Sequence, residues 1–226
     1  MIRELPQETT SLRAADFPME VEEKGEKSYI LLLEIQTEWK AEKTSVLAEY
    51  YIRFQRKYPD RKIRPCMVLF LPSGKAVNRF QLESLTFEFE LVKMWELEAA
   101  EYCSAEPEIL PFIPLMKGGL ELLDIAEAKL YGSRLNREDR ADYLFTLALL
   151  TGLKDREKSA ALFHRRRDVM VESALYEIIK EEGKLEGKIE GKIEGKLEDA
   201  RRMLSRGYAL EDVLEITGLT REQLQM

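Results

Sequence analysis

The sequence predicts an α/β (α+β) protein, with a mixed-sheet core, a helical region and a charged helical repeat in chain order. Three observations carry this. Tyr29–Gln36 is an unbroken, mostly apolar run of strand length, the mark of a strand buried on both faces. Beyond the prolines at 107, 111 and 114 the apolar residues fall at helical spacing. Residues 183–198 repeat Gly-Lys-(Leu/Ile)-Glu with a period of four.

Taken in order, residues 7–12 suit a first short strand and residues 15–21 a second. Pro18 cannot donate to a ladder, which places that second strand at an edge or bulge. Residues 22–27 form a polar turn with Gly25 at its middle, a hairpin signal leading into the apolar strand. Side chains alternate along a strand, so Ile30, Leu32, Glu34 and Gln36 share one face. Glu34 is then a carboxylate at the end of an oily row, costly to leave unpaired. In an antiparallel hairpin centred on Gly25, opposed residue numbers sum to about 50, which sets Asp16 opposite Glu34 with Cβ atoms roughly 4.5–5.5 Å apart. Carboxylates that close repel unless a proton or cation lies between them. With the Gln36 amide oxygen nearby, Mg²⁺ or Mn²⁺ is the natural guest.

At these residues the chain resembles the Rpn family (recombination-promoting nucleases, YhgA-like transposases) within the PD-(D/E)XK nucleases. The resemblance rests on Ala15-Asp16, Leu33-Glu34-Ile35-Gln36-Thr37-Glu38, Leu47-Ala48-Glu49-Tyr50 and Met67-Val68-Leu69-Phe70-Leu71. It continues through Val92-Lys93-Met94-Trp95-Glu96, Leu110-Pro111-Phe112-Ile113-Pro114-Leu115, the glycine repeat and Thr217-Gly218-Leu219-Thr220. It implies a restriction-endonuclease-like sheet and a metal-dependent DNA endonuclease, in which Asp16, Glu34 and the carbonyl of Ile35 hold Mg²⁺ (or Mn²⁺, with Ca²⁺ as a further candidate). Gln36 completes or orients that shell, and metal-activated water attacks a phosphodiester. The chain departs from the wider class in two ways. Only residues 1–6 precede the first expected strand where those nucleases carry a helix, and Gln36 stands where they carry lysine. Both departures keep open a rival reading, a nuclease-fold protein without turnover that serves as a DNA-binding or assembly module.

Composition sets bounds. A chain of 226 residues, 45% of them hydrophobic, suits one compact domain with appendages. A net charge of −7 argues against a general nucleic-acid coat, so any DNA contact must be local. Cys66 and Cys103 are far apart and fit buried thiols in a reducing compartment. His164 is the only histidine, which excludes zinc sites needing two histidines and self-contained Ser-His-Asp triads. No signal peptide opens the sequence and no apolar run reaches spanning length, so a cytoplasmic protein without membrane partners is expected.

A helix capped near Thr44 or Ser45 follows the strand, with Leu47, Tyr50, Tyr51, Phe54 and Tyr58 at helical spacing. Arg53, Arg56, Lys57, Arg61, Lys62 and Arg64 then form a basic cluster, expected to contact phosphates beside the metal. The plainer reading is a solvated helix end, where cations are favoured. Residues 65–71 and 85–91 suit further strands, and Ser73-Gly74-Lys75 lacks phosphate-loop spacing. Helices are expected over 120–130, 137–150 with Asn136 as N-cap, and 168–180.

In the repeat, Leu185, Ile189, Ile193 and Leu197 drift about 40° per period around a helix. That slanted stripe, with glycines where two backbones could approach, predicts a homo-oligomer joined through residues 181–200, the paired helices wrapping in the right-handed sense or crossing only briefly, with a charged linker as the plainer reading. A small helical tail with a Thr220/Gln223 capping box closes the chain. The expected divisions are a nuclease-like core over 1–115, a helical region over 116–180, the repeat over 181–200 and the tail over 201–226.

Overall fold

A computed structural model describes residues 17–22 and 28–224. Strand β1 (Phe17–Val21) pairs antiparallel with β2 (Tyr29–Gln36), from Phe17 opposite Leu33 to Val21 opposite Tyr29. Every described pair sums to 50, the constant of a turn centred on Gly25. The strand expected over 7–12 lies outside the described residues.

Helix α1 (Glu42–Lys57) returns along the sheet and delivers the chain to β3 (Lys62–Leu69), parallel to β2. It begins earlier than the sequence suggested, with Ala41 at the N-cap. The hydroxyls of Thr44 and Ser45 turn back to the carbonyls of Ala41 and Glu42 at 2.7 and 2.8 Å, so neither residue is the cap. Such back-bonding is the usual use of a hydroxyl already inside a helix.

A two-stranded ribbon of β4 (Arg79–Gln81) and β5 (Thr86–Glu88) follows, and β6 (Glu90–Lys93) then joins β3 in parallel. The single strand expected over 85–91 is therefore two, broken at Phe89, whose N–H donates to the carbonyl of Asn78. The main sheet runs β1-β2-β3-β6, a mixed α/β arrangement. Its prolines sit where a donor is not needed. Pro18 lies in the edge strand β1, and Pro65 precedes Cys66, where the pairing of β3 with β6 begins.

Each sheet face has its own core. On one, Ile30, Leu32, Ile63, Met67 and Leu69 meet Leu47, Ala48 and Tyr50 of α1, with Phe87 and Phe89 closing the end. On the other, Val68 and Val92 pack against a helical layer. That layer opens with a 3₁₀ turn at Met94–Glu96, the short α2 (Ala99–Tyr102) and a buried 3₁₀ stretch at Leu110–Leu115. It continues as α3 (Leu123–Tyr131), α4 (Arg137–Gly152), α5 (Arg156–Arg165) and α6 (Arg167–Met170). Asn136 caps α4 as expected, accepting from the Asp139 N–H at 2.8 Å. Inside the layer Glu127 of α3 is 2% exposed and is met by Arg166 at 2.6 Å and Arg165 at 3.3 Å. A buried carboxylate needs such partners.

The helix expected over 168–180 is divided: its first residues fall in α6 and the turn before Ser173, and the rest runs on through the repeat as one element, α7 (Ala174–Ser205), 32 residues and about 48 Å long. Ser173 caps it, and Ala200 near its end packs with α8 (Leu210–Thr217) around Val213 and Leu219. Gly218 in the left-handed region (φ 64°) ends α8, and α9 (Arg221–Leu224) begins from a capping box closed in both directions by Thr220 and Gln223. No helix among the described residues is long and apolar enough to cross a membrane.

Among the described glycines Gly119 has the tightest surroundings. A Cβ there would stand 1.8 Å from the carbonyl oxygen of Ile113, a buried backbone atom that cannot swing aside. Gly119→Ala should therefore cost about 2–4 kcal/mol in chemical denaturation, whereas Gly183→Ala, with open space around the added methyl, should not destabilise.

Candidate active site

Strand alternation carries Glu34 and Gln36 to the α1 face of the sheet, at the carboxyl end of β2. Both are buried, at 2% and 8% exposure. The Gln36 amide nitrogen donates to Glu34 Oε1 at 2.6 Å, and Lys43 Nζ meets the same oxygen at 2.8 Å. Lys43 comes from the first turn of α1. It precedes Leu47 by one helical turn and so shares that residue's sheet-facing side. A carboxylate, an amide and an ammonium thus converge where the parallel strands end, the usual place for ligands in open α/β sheets.

Ile35 points to the opposite face, and with Gln36, Thr37, Glu38, Lys40 and Lys43 it borders an open depression of about 370 Å³. The depression is held in shape by the Phe70 and Leu71 N–H groups, which donate to the carbonyls of Gln36 and Thr37 at 3.0 and 2.9 Å. Asp16, the expected partner of Glu34, lies outside the described residues. Among the described residues no three Asp, Glu, His or Cys side chains converge on a metal site.

The basic cluster is not beside Glu34, which corrects the placement expected from sequence. Lys62 pairs with Tyr29 at the opposite end of β2, and Arg53, Arg56 and Lys57 lie at the far end of α1. That is about 15–20 Å from Glu34 at the rises of a strand and a helix. Several of these cations are engaged locally. Arg53 pairs with Glu49, Arg61 with Glu20 and with Ser28 at 3.2 Å, and the Arg64 guanidinium lies 4.0 Å from the Tyr29 ring centre. The hydrogen bond and charge of Arg61 hold the Glu20 carboxyl below its usual range. Arg56, Lys57 and Lys62 are exposed.

Sequence reasoning passed over Lys43 and Lys40. The available signal was the helical spacing Lys43, Leu47, Tyr50, which puts the lysine on the sheet-facing side of a helix that starts beside the end of β2. The Cys66 thiol offers no nucleophile. Cys66 is buried and its pKa is pushed up to about 11 by burial and then by the charge of Glu90. His164 is exposed on the last turn of α5.

Comparison with known protein families, curated proteins and solved structures finds no match to this chain.

Two outcomes follow from this geometry. Lys43→Met removes a partner from a buried carboxylate and should destabilise the fold by about 2 kcal/mol in urea unfolding. Adding Glu34→Gln, which removes the charge as well, should recover about 1 kcal/mol or more of that loss in a double-mutant cycle. Cys66 supplies a pH test. Its folded pKa of about 11 lies above the ordinary value of 9.0, so the unfolded chain loses the thiol proton first. Stability from this group should hold below pH 9 and fall as pH rises toward 11, and Cys66→Ala should remove that component.

Proposed function

We propose that this protein is a metal-dependent DNA endonuclease of the Rpn type, with its site at the carboxyl end of β2. The observation that carries the reading is the buried Glu34 carboxylate, on a strand end, with a cation already seated on one oxygen. The ammonium of Lys43 marks a place where positive charge is stabilised. The donors that could gather there are hard oxygens, which suit Mg²⁺ or Mn²⁺ and not zinc or copper.

In this reading Glu34, Asp16 and the carbonyl of Ile35 hold the ion. The described register sums to 50, and one further step of it would set residue 16 against residue 34. Gln36 now presents its amide nitrogen to the carboxylate; turned over, the same side chain offers an oxygen. The bound ion would lower the pKa of a water molecule and stabilise charge on the phosphate. Lys43 supplies the positive charge that glutamine at position 36 cannot. Displaced from Glu34, it is placed to hold a phosphate oxygen in the depression it shares with Lys40. The exposed cations Arg56, Lys57 and Lys62 contact the DNA backbone 15–20 Å away, roughly five base pairs at the 3.4 Å rise of each strand.

The second reading, a nuclease-fold module that binds DNA without turnover, is favoured by the Lys43–Glu34 ion pair, which occupies a carboxylate oxygen an ion would need. Plasmid nicking separates the two. Wild-type protein should nick supercoiled plasmid with Mg²⁺ or Mn²⁺ and stop with EDTA. Glu34→Ala should lose about a hundredfold or more, and Lys43→Met about tenfold or more while still shifting DNA in a gel. Wild-type protein that shifts DNA but never nicks it with Mg²⁺, Mn²⁺ or Ca²⁺ would establish the module instead.

A further inference from the structure

Helix α7 is anchored at both ends and bare in the middle. At its start Tyr176 packs its ring 5.9 Å from that of Phe145, and near its end Ala200 is fully buried against α8. From residue 181 to residue 192 every described side chain is exposed. This bare stretch holds Gly183, Gly187 and Gly191, and glycine is the poorest helix former after proline. Nothing within the described residues packs on it.

The exposed apolar residues of α7 are not scattered. At 100° per residue the exposed Leu175, Ile178, Ile179 and Leu185 fall within an arc of about 120°, and the half-buried Ile193 lies in line with Leu175. Leu175, Ile178, Ile179 and Leu185 are 42%, 54%, 45% and 60% exposed, an unpartnered apolar seam interrupted by Glu182. From Leu175 to Ile193 it takes 18 residues for five turns, so it runs straight along the helix. A straight seam of this kind would not require the right-handed wrap expected from the period-four repeat alone. Gly183 flanks Ile179 one turn on, whereas Gly187 and Gly191 lie about 140° and 180° from the centre of the seam and so do not serve close approach there.

We propose that this seam is the interface of a homodimer, closed by α7 of a second copy in antiparallel orientation. Charge selects both the partner and the direction. Lysines and glutamates alternate along the bare stretch in nearly equal number, a surface complementary to itself and not to a strongly charged protein. Glu181 and Lys188 lie on the same flank of the seam. Antiparallel helices bring like flanks together, so Glu181 of each copy meets Lys188 of the other. A parallel pair would stack Glu182, which sits mid-seam, against its own copy, and would face Glu181 toward position 186, also glutamate.

Analytical ultracentrifugation of the full chain over a wide range of protein concentration tests this. Wild type should sediment as a concentration-dependent dimer. Ile178→Glu with Leu185→Glu should give a monomer with unchanged circular dichroism outside the loss of some helix, since neither side chain is buried in the monomer. Lys188→Glu should weaken the dimer at least tenfold, and Glu181→Lys combined with Lys188→Glu should restore it. Gly187→Ala should leave the mass unchanged. A monomeric wild type, or a dimer untouched by the Ile178/Leu185 variant, would overturn the proposal. So would a failure of the charge exchange to restore pairing, or a dimer lost in Gly187→Ala. None of these masses depends on nuclease activity, so the two readings fail separately.

Discussion

A carboxylate placed inside a hydrophobic layer constrains everything that must answer it, and Glu34 is that constraint here. Its burial at 2% follows from strand alternation, which gives Ile30, Leu32 and Glu34 the same face. An ionised carboxylate there demands a charge partner and saturated lone pairs. Gln36 and Lys43 meet that demand, one from the same strand and one from the helix that follows. The first turn of α1 is therefore tied to the end of β2 by chemistry as well as by the packing of Leu47. Because α1 must also deliver the chain to the start of β3, its direction is set at both ends.

Much of this was legible in the sequence because it rests on local rules. The β1–β2 register follows from the position of Gly25, and each described pair agrees with it. The face shared by Glu34 and Gln36 follows from the period of two. Asn136 as a cap and the Thr220/Gln223 box are local hydrogen-bond patterns and were found. What escaped was the joining of elements. Lys43 lies nine residues from Glu34, and only the return of α1 across the sheet brings them together. The cluster at 53–64 follows the site closely in sequence, yet α1 and its turn carry it to the other end of β2. Sequence distance and spatial distance part company wherever a crossover helix intervenes.

The other misjudgments share a physical cause. Thr44 and Ser45 carry the chemistry of a cap, but the same hydroxyls can bond backward inside a first turn, and Ala41 then takes the terminal position. Residues 85–91 have the alternation of a single strand. Phe87 and Phe89 both keep their buried places while the backbone between them changes sheet, so side-chain periodicity outlives the strand that suggested it. The continuous α7 was hidden by its glycines, whose local preference opposes a helix. Anchors at Tyr176 and Ala200 override that preference, since a helix held at both ends needs no fresh nucleation between them.

The protein's acidity bears on how the site could handle a polyanion. With a net charge of −7, approaching phosphates meet repulsion over most of the surface, and only local cations lower it. Two such groups exist near β2, at opposite ends. Those at the start of the strand are partly spent on Glu20, Glu49 and Tyr29. Lys43 is spent on Glu34, and its side chain is still one-third exposed. A divalent ion bound at Glu34 would take over the neutralising task and free that ammonium for the phosphate beside it. The same carboxylate that organises the fold would then decide, by which cation it holds, whether the depression attracts a phosphate. Under the proposed endonuclease reading, the charge that would attract a phosphate would become available only with the ion in place.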